Sequence, residues 1–232
     1  MKCVILAGGK GTRISELSKS MPKPMIKILG KPIIFRIIMH YYKFGIKDFI
    51  IAAGYKKKFI KDYFTKKKIK DLKIKVIDTG LNTMTGGRLK RLEKYLKNET
   101  FMMTYGDGLS SVNIKKLVSF HKKNKKIGTL TAVRPPARFG AIRINGNRIK
   151  YFKEKSKLDV GWINGGFFVF DSKIFKFIKG DKTYLEREPL QKISKQGELY
   201  AFKHDGFWQC MDTTRDKIFL EDLIKHNNAP WI

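Results

Sequence analysis

The sequence predicts an α/β protein whose central sheet is mixed but mostly parallel and carries helices on both faces. Two observations lead to this fold class. In the first half of the 232-residue chain, short apolar runs alternate with stretches of helical periodicity. After residue 127 several strands follow one another, which predicts an extension of the same sheet with a small antiparallel flap. The expected architecture is therefore Rossmann-like.

The elements of the first half follow from the spacing of apolar residues. Pro32 stands in the first turn of a predicted helix, where proline is tolerated, and Leu89, Leu92 and Leu96 repeat at helical spacing. The predicted strands are 2–7, 48–53, 73–78 and 100–105. The predicted helices are 32–44, a basic helix that ends near Phe64, 87–96 and 113–124.

The second half is predicted to be richer in strands. Asn145-Gly146-Asn147 is typical of a tight hairpin turn, so the two strands around it are expected to pair. The predicted strands are 129–133, 141–145, 148–152, 162–171 and 199–203. Two helices are predicted near 185–196 and 213–225. No internal repeat, linker or low-complexity tract interrupts the chain.

The charge of the chain is strongly basic. Fifty Lys and Arg residues against 20 Asp and Glu residues give a net charge of +30. Such a charge suggests a nucleic-acid or other anionic partner. However, lysines are scattered in pairs and triplets, as at 56–58, while arginine, the preferred base reader, is rare. A solvated lysine surface is the favoured interpretation, and a nucleic-acid or anion binding protein stays open as the rival.

Cysteine and histidine usage excludes several classes of site. Cys3 and Cys210 alone support neither a disulfide framework nor a cysteine-based zinc site, so a reducing cytoplasm is expected. No apolar run is long enough for a membrane span, and the one at the N-terminus is too short for a signal peptide. No pair of histidines has the spacing of metal ligands, so the histidines are expected to have structural roles or to lie on the surface.

A glycine-rich loop follows the first predicted strand. Leu6-Ala7-Gly8-Gly9-Lys10-Gly11-Thr12-Arg13 would let backbone N–H groups approach phosphate oxygens. Arg13, and Lys23 in Pro22-Lys23-Pro24, add positive charge. The spacing matches neither a Walker A loop nor Gly-x-Gly-x-x-Gly. The alternative interpretation is a tight turn with two surface cations.

At these residues the chain resembles the sugar-1-phosphate nucleotidylyltransferases, and further motifs narrow the resemblance to the glucose-1-phosphate cytidylyltransferases. These motifs occur in order along essentially the whole chain: Asn82-Thr83-Met84-Thr85-Gly86-Gly87-Arg88-Leu89-Lys90-Arg91, Tyr105-Gly106-Asp107-Gly108, Pro136-x-Arg138-Phe139-Gly140-Ala141, Glu154-Lys155, Ile163-Asn164-Gly165-Gly166-Phe167-Phe168, Glu188-Pro189-Leu190, Gly206-Phe207-Trp208-Gln209-Cys210-Met211-Asp212-Thr213 and Ala229-Pro230-Trp231.

The resemblance implies a fold of the nucleotide-diphospho-sugar transferase type. It implies transfer of the cytidylyl group of CTP to a sugar 1-phosphate, with Mg²⁺ as cofactor, in a cytoplasmic homo-oligomer with no nucleic-acid or membrane partner. The pathway implied is nucleotide-sugar biosynthesis for lipopolysaccharide or O-antigen. The chain would be one domain, 1–232, with a nucleotide-binding half up to about residue 127 and a sugar-binding half from about residue 128. Another sugar phosphate, UTP or dTTP in place of CTP, and a catalytically inactive relative remain alternatives.

The resemblance also implies roles for individual residues. The catalytic residues would be Arg13, Lys23 and Asp107. The nucleotide-binding residues would be Leu6, Ala7, Gly8, Gly9, Lys10, Gly11, Thr12, Arg13, Lys23, Thr83, Arg88 and Gly106. The sugar-phosphate-binding residues would be Gly140, Glu154, Lys155, Asn164 and Gly165. Mg²⁺ would bind Asp107 and Asp212.

Local alternatives accompany three of these roles. Asp107 ends a predicted strand, where ligands bind in open α/β sheets, but a carboxylate there is also typical of a turn. Asp212 precedes a predicted helix and could be only its N-cap. Arg88 follows Gly86-Gly87 at a predicted helix start, which suits an anion or a base carbonyl, and could instead be a solvated cation.

The sequence departs from the family pattern at three places. The stretch between Phe64 and Val76 is shorter than is usual, and Ser156 and Cys210 stand where the family usually has proline. Proline would have restricted the backbone φ angle at both positions.

Overall fold

The structure is a computed structural model that describes residues 1–14, 18–67, 69, 71–136, 141–153 and 161–232. Its strands are β1 (Lys2–Ala7), β2 (Lys27–Ile28), β3 (Lys31–Pro32), β4 (Asp48–Ala53), β5 (Lys73–Asp78), β6 (Phe101–Tyr105), β7 (Gly108–Ser110), β8 (Gly128–Val133), β9 (Ala141–Asn145), β10 (Arg148–Lys153), β11 (Ile163–Phe170), β12 (Leu199–His204) and β13 (Trp208–Cys210). The α-helices used below are α1 (Ile33–Lys43), α2 (Lys57–Lys66), α3 (Thr85–Lys90), α4 (Glu93–Leu96), α5 (Ile114–Asn124), α6 (Glu188–Lys195) and α7 (Thr214–Lys225).

Seven strands form the central sheet, in the order β12-β8-β11-β6-β1-β4-β5. β1 pairs in parallel with β4 and β6, β4 with β5, and β8 with β12. β11 runs antiparallel to both of its neighbours, β6 and β8. The sheet is therefore mixed and mostly parallel, which confirms the predicted fold class.

Alternation along the buried strands sends side chains to two apolar layers. Ile5 and Phe49 face one layer, which α1, α2, α5 and α7 cover. Val4 and Ile50 face the other layer, which α3, α4 and α6 cover. Strands buried on both faces become nearly continuous apolar runs, which explains why β1 and β4 are recognisable in the sequence.

The position of β1 in the sheet creates a crevice. The chain passes to β4 on one side of β1 and to β6 on the other, so the strand order reverses at this point. In open α/β sheets, ligands bind outside the carboxyl ends of the strands at such a reversal. The glycine-rich loop and the Gly106-Asp107 turn both begin at this edge.

The structure corrects two predicted helices. The stretch predicted as one helix over 87–96 is two, α3 and α4, because i→i−3 hydrogen bonds at Leu92 and Tyr95 tighten the backbone between and within them. The helix predicted near 185–196 begins later, at Glu188, with Pro189 in its first turn. The leucines at 89, 92 and 96 remain fully buried on one face.

The predicted hairpin is confirmed as β9 and β10. Arg148 pairs with Asn145 across the turn, and Gly146 has a φ of +56°, a conformation that glycine adopts without strain. Residues 137–140 and 154–160, which flank the hairpin, lie outside the described residues. Among the helices that the structure describes, none has the length and apolarity needed to cross a membrane.

Candidate active site

The glycine-rich loop starts where β1 ends at the crevice. Gly8 and Gly11 need to be glycine: a Cβ on Gly8 would lie 2.2 Å from Arg88 Nη1, and Gly11 has a φ of +67°. The Gly8 carbonyl accepts a hydrogen bond from the Tyr55 N–H, which anchors the loop to the turn after β4. Within the predicted loop, Leu6, Ala7 and Gly8 are buried, Gly11 is half-buried, and Gly9, Lys10 and Thr12 are exposed.

Arg13 lies in a short 3₁₀ turn, Thr12–Ile14, directly after this loop. The described structure includes its backbone and not its side chain. The predicted catalytic role of Arg13 therefore stays a prediction.

Lys23 lies in a second 3₁₀ turn, Lys23–Met25, that begins after Pro22. Its side chain is buried, and its Nζ donates hydrogen bonds to Asp107 Oδ2 and to Asp212 Oδ1, each over 2.6 Å. Burial lowers the pKa of the ammonium, but the charge of Asp107 and the hydrogen bonds to both carboxylates outweigh it, so the pKa is raised. Lys23 is thus not the surface cation of the alternative interpretation.

A two-stranded pairing brings the carboxylates to Lys23. Gly106 and Asp107 follow β6, and β7 then pairs antiparallel with β13, with Gly108 opposite Cys210. The Met211 N–H donates to the Asp107 carbonyl over 2.9 Å, which joins the two turns. Asp107 and Asp212, 105 positions apart in the chain, therefore meet at one ammonium group.

Gly106 lies on the floor of this crevice. Its N–H donates to the Leu6 carbonyl over 3.1 Å, so the turn after β6 is tied to β1. A Cβ on Gly106 would lie 3.1 Å from both the Leu6 carbonyl oxygen and Pro24 Cγ. The glycine thus lets the turn that carries Asp107 pack against the turn that carries Lys23.

The interpretation of Asp212 as the N-cap of the last helix is wrong. Thr213 is the N-cap of α7: its side chain accepts from the Asp216 N–H, and Asp216 accepts from the Thr213 N–H, forming a capping box. The Asp212 N–H also donates to Asp216 Oδ2, over 3.0 Å. The helix cap thus orients the backbone at Asp212, and the carboxylate of Asp212 faces Lys23.

Arg88 and Thr83 are both buried, and Arg88 lies directly against Gly8 of the glycine loop. The Arg88 guanidinium donates from Nη1 to Thr79 Oγ1 at 2.9 Å and to the Gly80 carbonyl at 2.6 Å. Thr83 Oγ1 lies close to Gly80, 2.8 Å from where a Cβ would stand. The alternative of a solvated helix cation at Arg88 is wrong, because the residue is only 4% exposed and its guanidinium lies against Gly8 of the loop.

The sugar half of the site is described in part. Asn164 is exposed, and its Oδ1 accepts from the Gly166 N–H over 2.9 Å. Gly165 is buried, and its carbonyl accepts from Trp208 Nε1 over 2.7 Å. β11 and β13 are therefore linked at the edge where Asn164 lies. Three predicted sugar-phosphate residues lie outside the described residues: Gly140, Glu154 and Lys155.

One carboxylate near the site was missed by the sequence analysis. Glu186 Oε1 accepts from the Tyr105 hydroxyl and Oε2 from Thr85 Oγ1, each over 2.6 Å. Burial, followed by the charge of Glu186, raises the pKa of Tyr105 well above its usual range. This contact ties the strand before Asp107 to the first turn of α3. Nothing in the local sequence signals it, because Glu186 lies among other charged residues and its partners are distant in the chain.

The four histidines make structural contacts, as predicted. His40 Nε2 donates to the Val112 carbonyl at 2.9 Å, and His121 Nδ1 lies 2.9 Å from Thr129 Oγ1. His204 contacts the Phe207 carbonyl, and His226 the Asp222 carbonyl of its own helix. In the part of the chain that the structure describes, no histidine belongs to a group of side chains that could hold a metal ion together.

The chemistry of the carboxylate pair fits a divalent cation. Lys23 Nζ stands between Asp107 and Asp212 at hydrogen-bond distance from each, so a positive charge already occupies the point where both oxygens converge. Carboxylate oxygens are the ligands that Mg²⁺ prefers, together with phosphate oxygens. Among the described residues, the one group of side chains placed to share a metal ion is Asp107, Cys210 and Asp212.

A glycine loop, a buried lysine and two facing carboxylates at the carboxyl edge of the sheet suit an enzyme that binds and transfers phosphate groups. The chain belongs to the nucleotidyl transferase family, whose sequence model matches residues 2–215. It is 47% identical over 253 aligned residues to the glucose-1-phosphate cytidylyltransferase of Salmonella typhimurium strain LT2, covering 100% of this chain and 98% of that protein.

Two further similarities, one of sequence and one of structure, extend beyond the cytidylyltransferases. The mannose-1-phosphate guanyltransferase 2 of Candida glabrata is 33% identical over 231 residues, covering 95% of this chain and 63% of that protein. The crystal structure of HddC from Yersinia pseudotuberculosis superposes with a TM-score of 0.77 at 27% identity, covering 96% of this chain and 99% of that one. The base and the sugar must therefore be argued from closer relatives than the family as a whole.

Proposed function

We propose that this protein transfers the cytidylyl group of CTP to α-D-glucose 1-phosphate, giving CDP-glucose and pyrophosphate. Full-length similarity to the Salmonella glucose-1-phosphate cytidylyltransferase supports the choice of base and sugar. The structural observation that carries the proposal is the meeting of Lys23 with Asp107 and Asp212 beside the glycine loop. A transferase that works on phosphates needs this combination of backbone donors, fixed cations and metal-binding oxygens.

The glycine loop receives the phosphates of CTP. Leu6 and Ala7 are the last residues of β1, and the loop from Gly8 to Arg13 follows at its carboxyl edge, where the exposed Gly9 leaves room for a phosphate group to approach the backbone. Arg13 stabilises the charge that develops on the leaving pyrophosphate. Thr83 and Gly106 border the nucleotide, and Arg88 shapes the same pocket from beneath Gly8.

Lys23 acts between the two reactants. In the structure its ammonium compensates the charges of Asp107 and Asp212. When the phosphates of CTP and the sugar enter, their oxygens replace the carboxylates as acceptors, and Lys23 neutralises the α-phosphate region. Mg²⁺ held by Asp107 and Asp212 would supply the remaining positive charge for the phosphate oxygens.

The sugar phosphate is held so that its oxygen attacks the α-phosphorus in line with the leaving group. Lys155 holds the attacking phosphate, and Glu154 binds sugar hydroxyls. Asn164, Gly165 and Gly140 complete the contacts around the sugar. Because little covalent chemistry is required of the protein, positioning and charge stabilisation account for the catalysis.

The wider setting of the enzyme is part of the same proposal. The chain forms a single domain, with a nucleotide half up to about residue 127 and a sugar half beyond it. Pairing of β11 with both β6 and β8 supports this, because one sheet runs across the boundary. We place the enzyme in the cytoplasm as a homo-oligomer. Two cysteines without a disulfide agree with a reducing compartment.

The test is pyrophosphate release with Mg²⁺, CTP and α-D-glucose 1-phosphate, with UTP, dTTP and GTP in parallel. Release that requires CTP and glucose 1-phosphate together supports the proposal. Release with another base or another sugar phosphate would retain the reaction type and overturn the proposed substrates. No release across a panel of sugar phosphates would overturn the enzymatic function itself.

Two variants connect this activity to the site. Asp107→Asn is expected to lose most of the Mg²⁺-dependent turnover while it remains folded. Asp62→Asn is the matched control, because Asp62 is an exposed carboxylate on α2. Normal turnover in Asp107→Asn would contradict the assignment of Asp107 to the metal.

A further inference from the structure

We propose that Cys210 joins Asp107 and Asp212 in binding a thiophilic divalent ion, such as Zn²⁺ or Cd²⁺, at the centre of the active site. The inference rests on the proposed role of the two carboxylates and adds a ligand that no role in nucleotidyl transfer uses. It concerns the metal selectivity of this particular chain.

Three candidate ligand atoms lie close together at this centre. The Cys210 thiol and one oxygen from each of Asp107 and Asp212 all lie within 4.8 Å of one another. Ligands that bind one Zn²⁺ ion at about 2.0–2.3 Å lie at most about 4.6 Å apart, so a small rotation of the side chains would bring the three atoms onto one ion. Cys210 is half-buried, so a metal ion from solvent can reach it.

The strand pairing holds this arrangement in place. Cys210 ends β13, opposite Gly108 of β7, and a strand sends alternate side chains to opposite sides. Gln209 is accordingly buried and donates to Asp216, and Met211 is buried in the core. Cys210 and Asp212 are left on the other side, next to Asp107.

The ammonium group of Lys23 already lies at this centre. Lys23 Nζ is 2.6 Å from an oxygen of each carboxylate, and its side chain is 7% exposed. The protein has therefore built a buried position for positive charge at the convergence of these ligands. A bound metal ion takes over this position, and the Lys23 ammonium moves out towards solvent or phosphate.

The donor set determines which ions gain from Cys210. Mg²⁺ favours hard oxygen ligands in octahedral geometry and gains little from sulfur. Thiolate favours softer ions, and two carboxylates with one thiolate would give Zn²⁺ three protein ligands and leave a fourth position open. On binding, the thiol proton passes to solvent and a sulfur–metal bond forms, with no change of oxidation state.

A thiophilic ion at this centre would affect the transfer reaction. A thiophilic ion would compete with both Mg²⁺ and the Lys23 ammonium for the same oxygens, so it is expected to inhibit the transfer reaction. Addition of a chelator followed by Mg²⁺ should restore the activity. Activity would then depend on the concentration of trace thiophilic metal ions as well as on that of Mg²⁺.

The experiment is a titration of the metal-free protein with Co²⁺ alone, followed by near-ultraviolet absorption. The wild type and Cys3→Ala are expected to develop a sulfur-to-cobalt charge-transfer band, and Cys210→Ser is expected to lack it. Cys3 is the control because it is fully buried in the core. A wild type without the band, or a Cys210→Ser variant that keeps it, would overturn the inference.

Calorimetry with Cd²⁺ gives an independent readout. Loss of an outer-shell partner alone weakens metal binding about 10–100-fold, so removal of the sulfur ligand is expected to weaken Cd²⁺ binding at least that much. Binding of Mg²⁺ should change far less. Equal losses for the two ions would contradict a role for sulfur. If Cys210→Ser unfolds, Cys210→Ala takes its place.

These readouts are separable from the proposed function. Pyrophosphate release by the wild type with Mg²⁺ and CTP is measured in parallel. A cobalt–thiolate band without any release would reject the nucleotidyl transfer proposal and retain the metal site. Pyrophosphate release without a cobalt–thiolate band would retain the nucleotidyl transfer proposal and reject the metal site with Cys210.

Discussion

Replacing Lys23 by alanine tests the central contact of the site. The substitution leaves two carboxylates, with side chains 23% and 18% exposed, facing each other without the ammonium. Removing one partner of a buried ion pair costs about 3–5 kcal/mol. Because both carboxylates are partly solvated, we expect the low end, about 3 kcal/mol, which corresponds to a fall in Tm of about 6–12 °C for a chain of this length.

A divalent cation should repair this loss. In Lys23→Ala, Mg²⁺ can bind the carboxylates of Asp107 and Asp212 without displacing an ammonium group. A ligand at 100 times its Kd stabilises the folded state by about 2.7 kcal/mol. In the wild type, Mg²⁺ must first displace the ammonium, so the gain is expected to be smaller. Activity is not repaired: loss of a positive charge aimed at the reacting phosphate is expected to cost about 10²–10³-fold in kcat.

The assay is thermal unfolding with EDTA and with Mg²⁺, for the wild type, Lys23→Ala and Lys27→Ala. Lys27 is the control because it lies only four positions after Lys23 in the chain but has an exposed side chain. A Lys23→Ala protein as stable as the wild type in EDTA would refute the ion-pair reasoning. Equal stabilisation of all three proteins by Mg²⁺ would refute the competition between ammonium and metal.

The pH dependence of this contact has a definite sign. The pKa of Lys23 is raised in the folded protein above the usual lysine value of about 10.4. Its stabilising contribution is therefore complete below that value and is lost as the pH rises through the folded-state pKa. The wild type and Lys23→Ala should accordingly approach equal stability only in strongly alkaline solution.

Three further predictions concern the loop and two titrating groups. Gly8→Ala should destabilise the protein by about 1–3 kcal/mol in urea unfolding, because its Cβ would meet the hydrogen-bonded Arg88, whereas Gly9→Ala, with nothing within 4 Å, should be nearly neutral. Burial lowers the pKa of His40, so stability should fall as the pH drops below the unfolded value of about 6.5, and His40→Gln should reduce that fall. The pKa of Glu221 is lowered: burial raises it, but contacts with a lysine and a backbone N–H outweigh burial. Glu221→Gln should therefore lose stability near pH 7 and converge with the wild type as the pH falls below about 4. An unchanged pH profile in either variant would contradict its assignment.

Most elements of the sheet could be predicted from the sequence because their signals are local. β4 and β5 have the bounds predicted, and β6, β8 and β12 differ from the prediction by a residue at one end. Strands buried on both faces become short apolar runs, and a helix end is marked by nearby capping or breaking residues. The division of 87–96 into α3 and α4 was missed, since their buried leucines keep one helical spacing throughout.

The candidate site was predictable as a set of motifs. The glycine loop, Lys23, Asp107 and Asp212 were each singled out from residue type, spacing and resemblance. The sequence could not show that the ammonium of Lys23 contacts both Asp107 and Asp212. Its dual contact depends on β7 and β13, strands of three residues each, which are too short to be recognised from a periodic pattern.

The sequence by itself determined the fold class and the order of most elements, because these depend on local periodicity and turn chemistry. It suggested the residues of the site through motif spacing and a family resemblance. Only the tertiary structure decided which charges meet. Arg88 is buried under the glycine loop, Thr213 rather than Asp212 caps the last helix, and Cys210 stands beside two carboxylates. The physical reason is that such contacts join residues up to 189 positions apart, and their distances are set by strand pairing and side-chain packing.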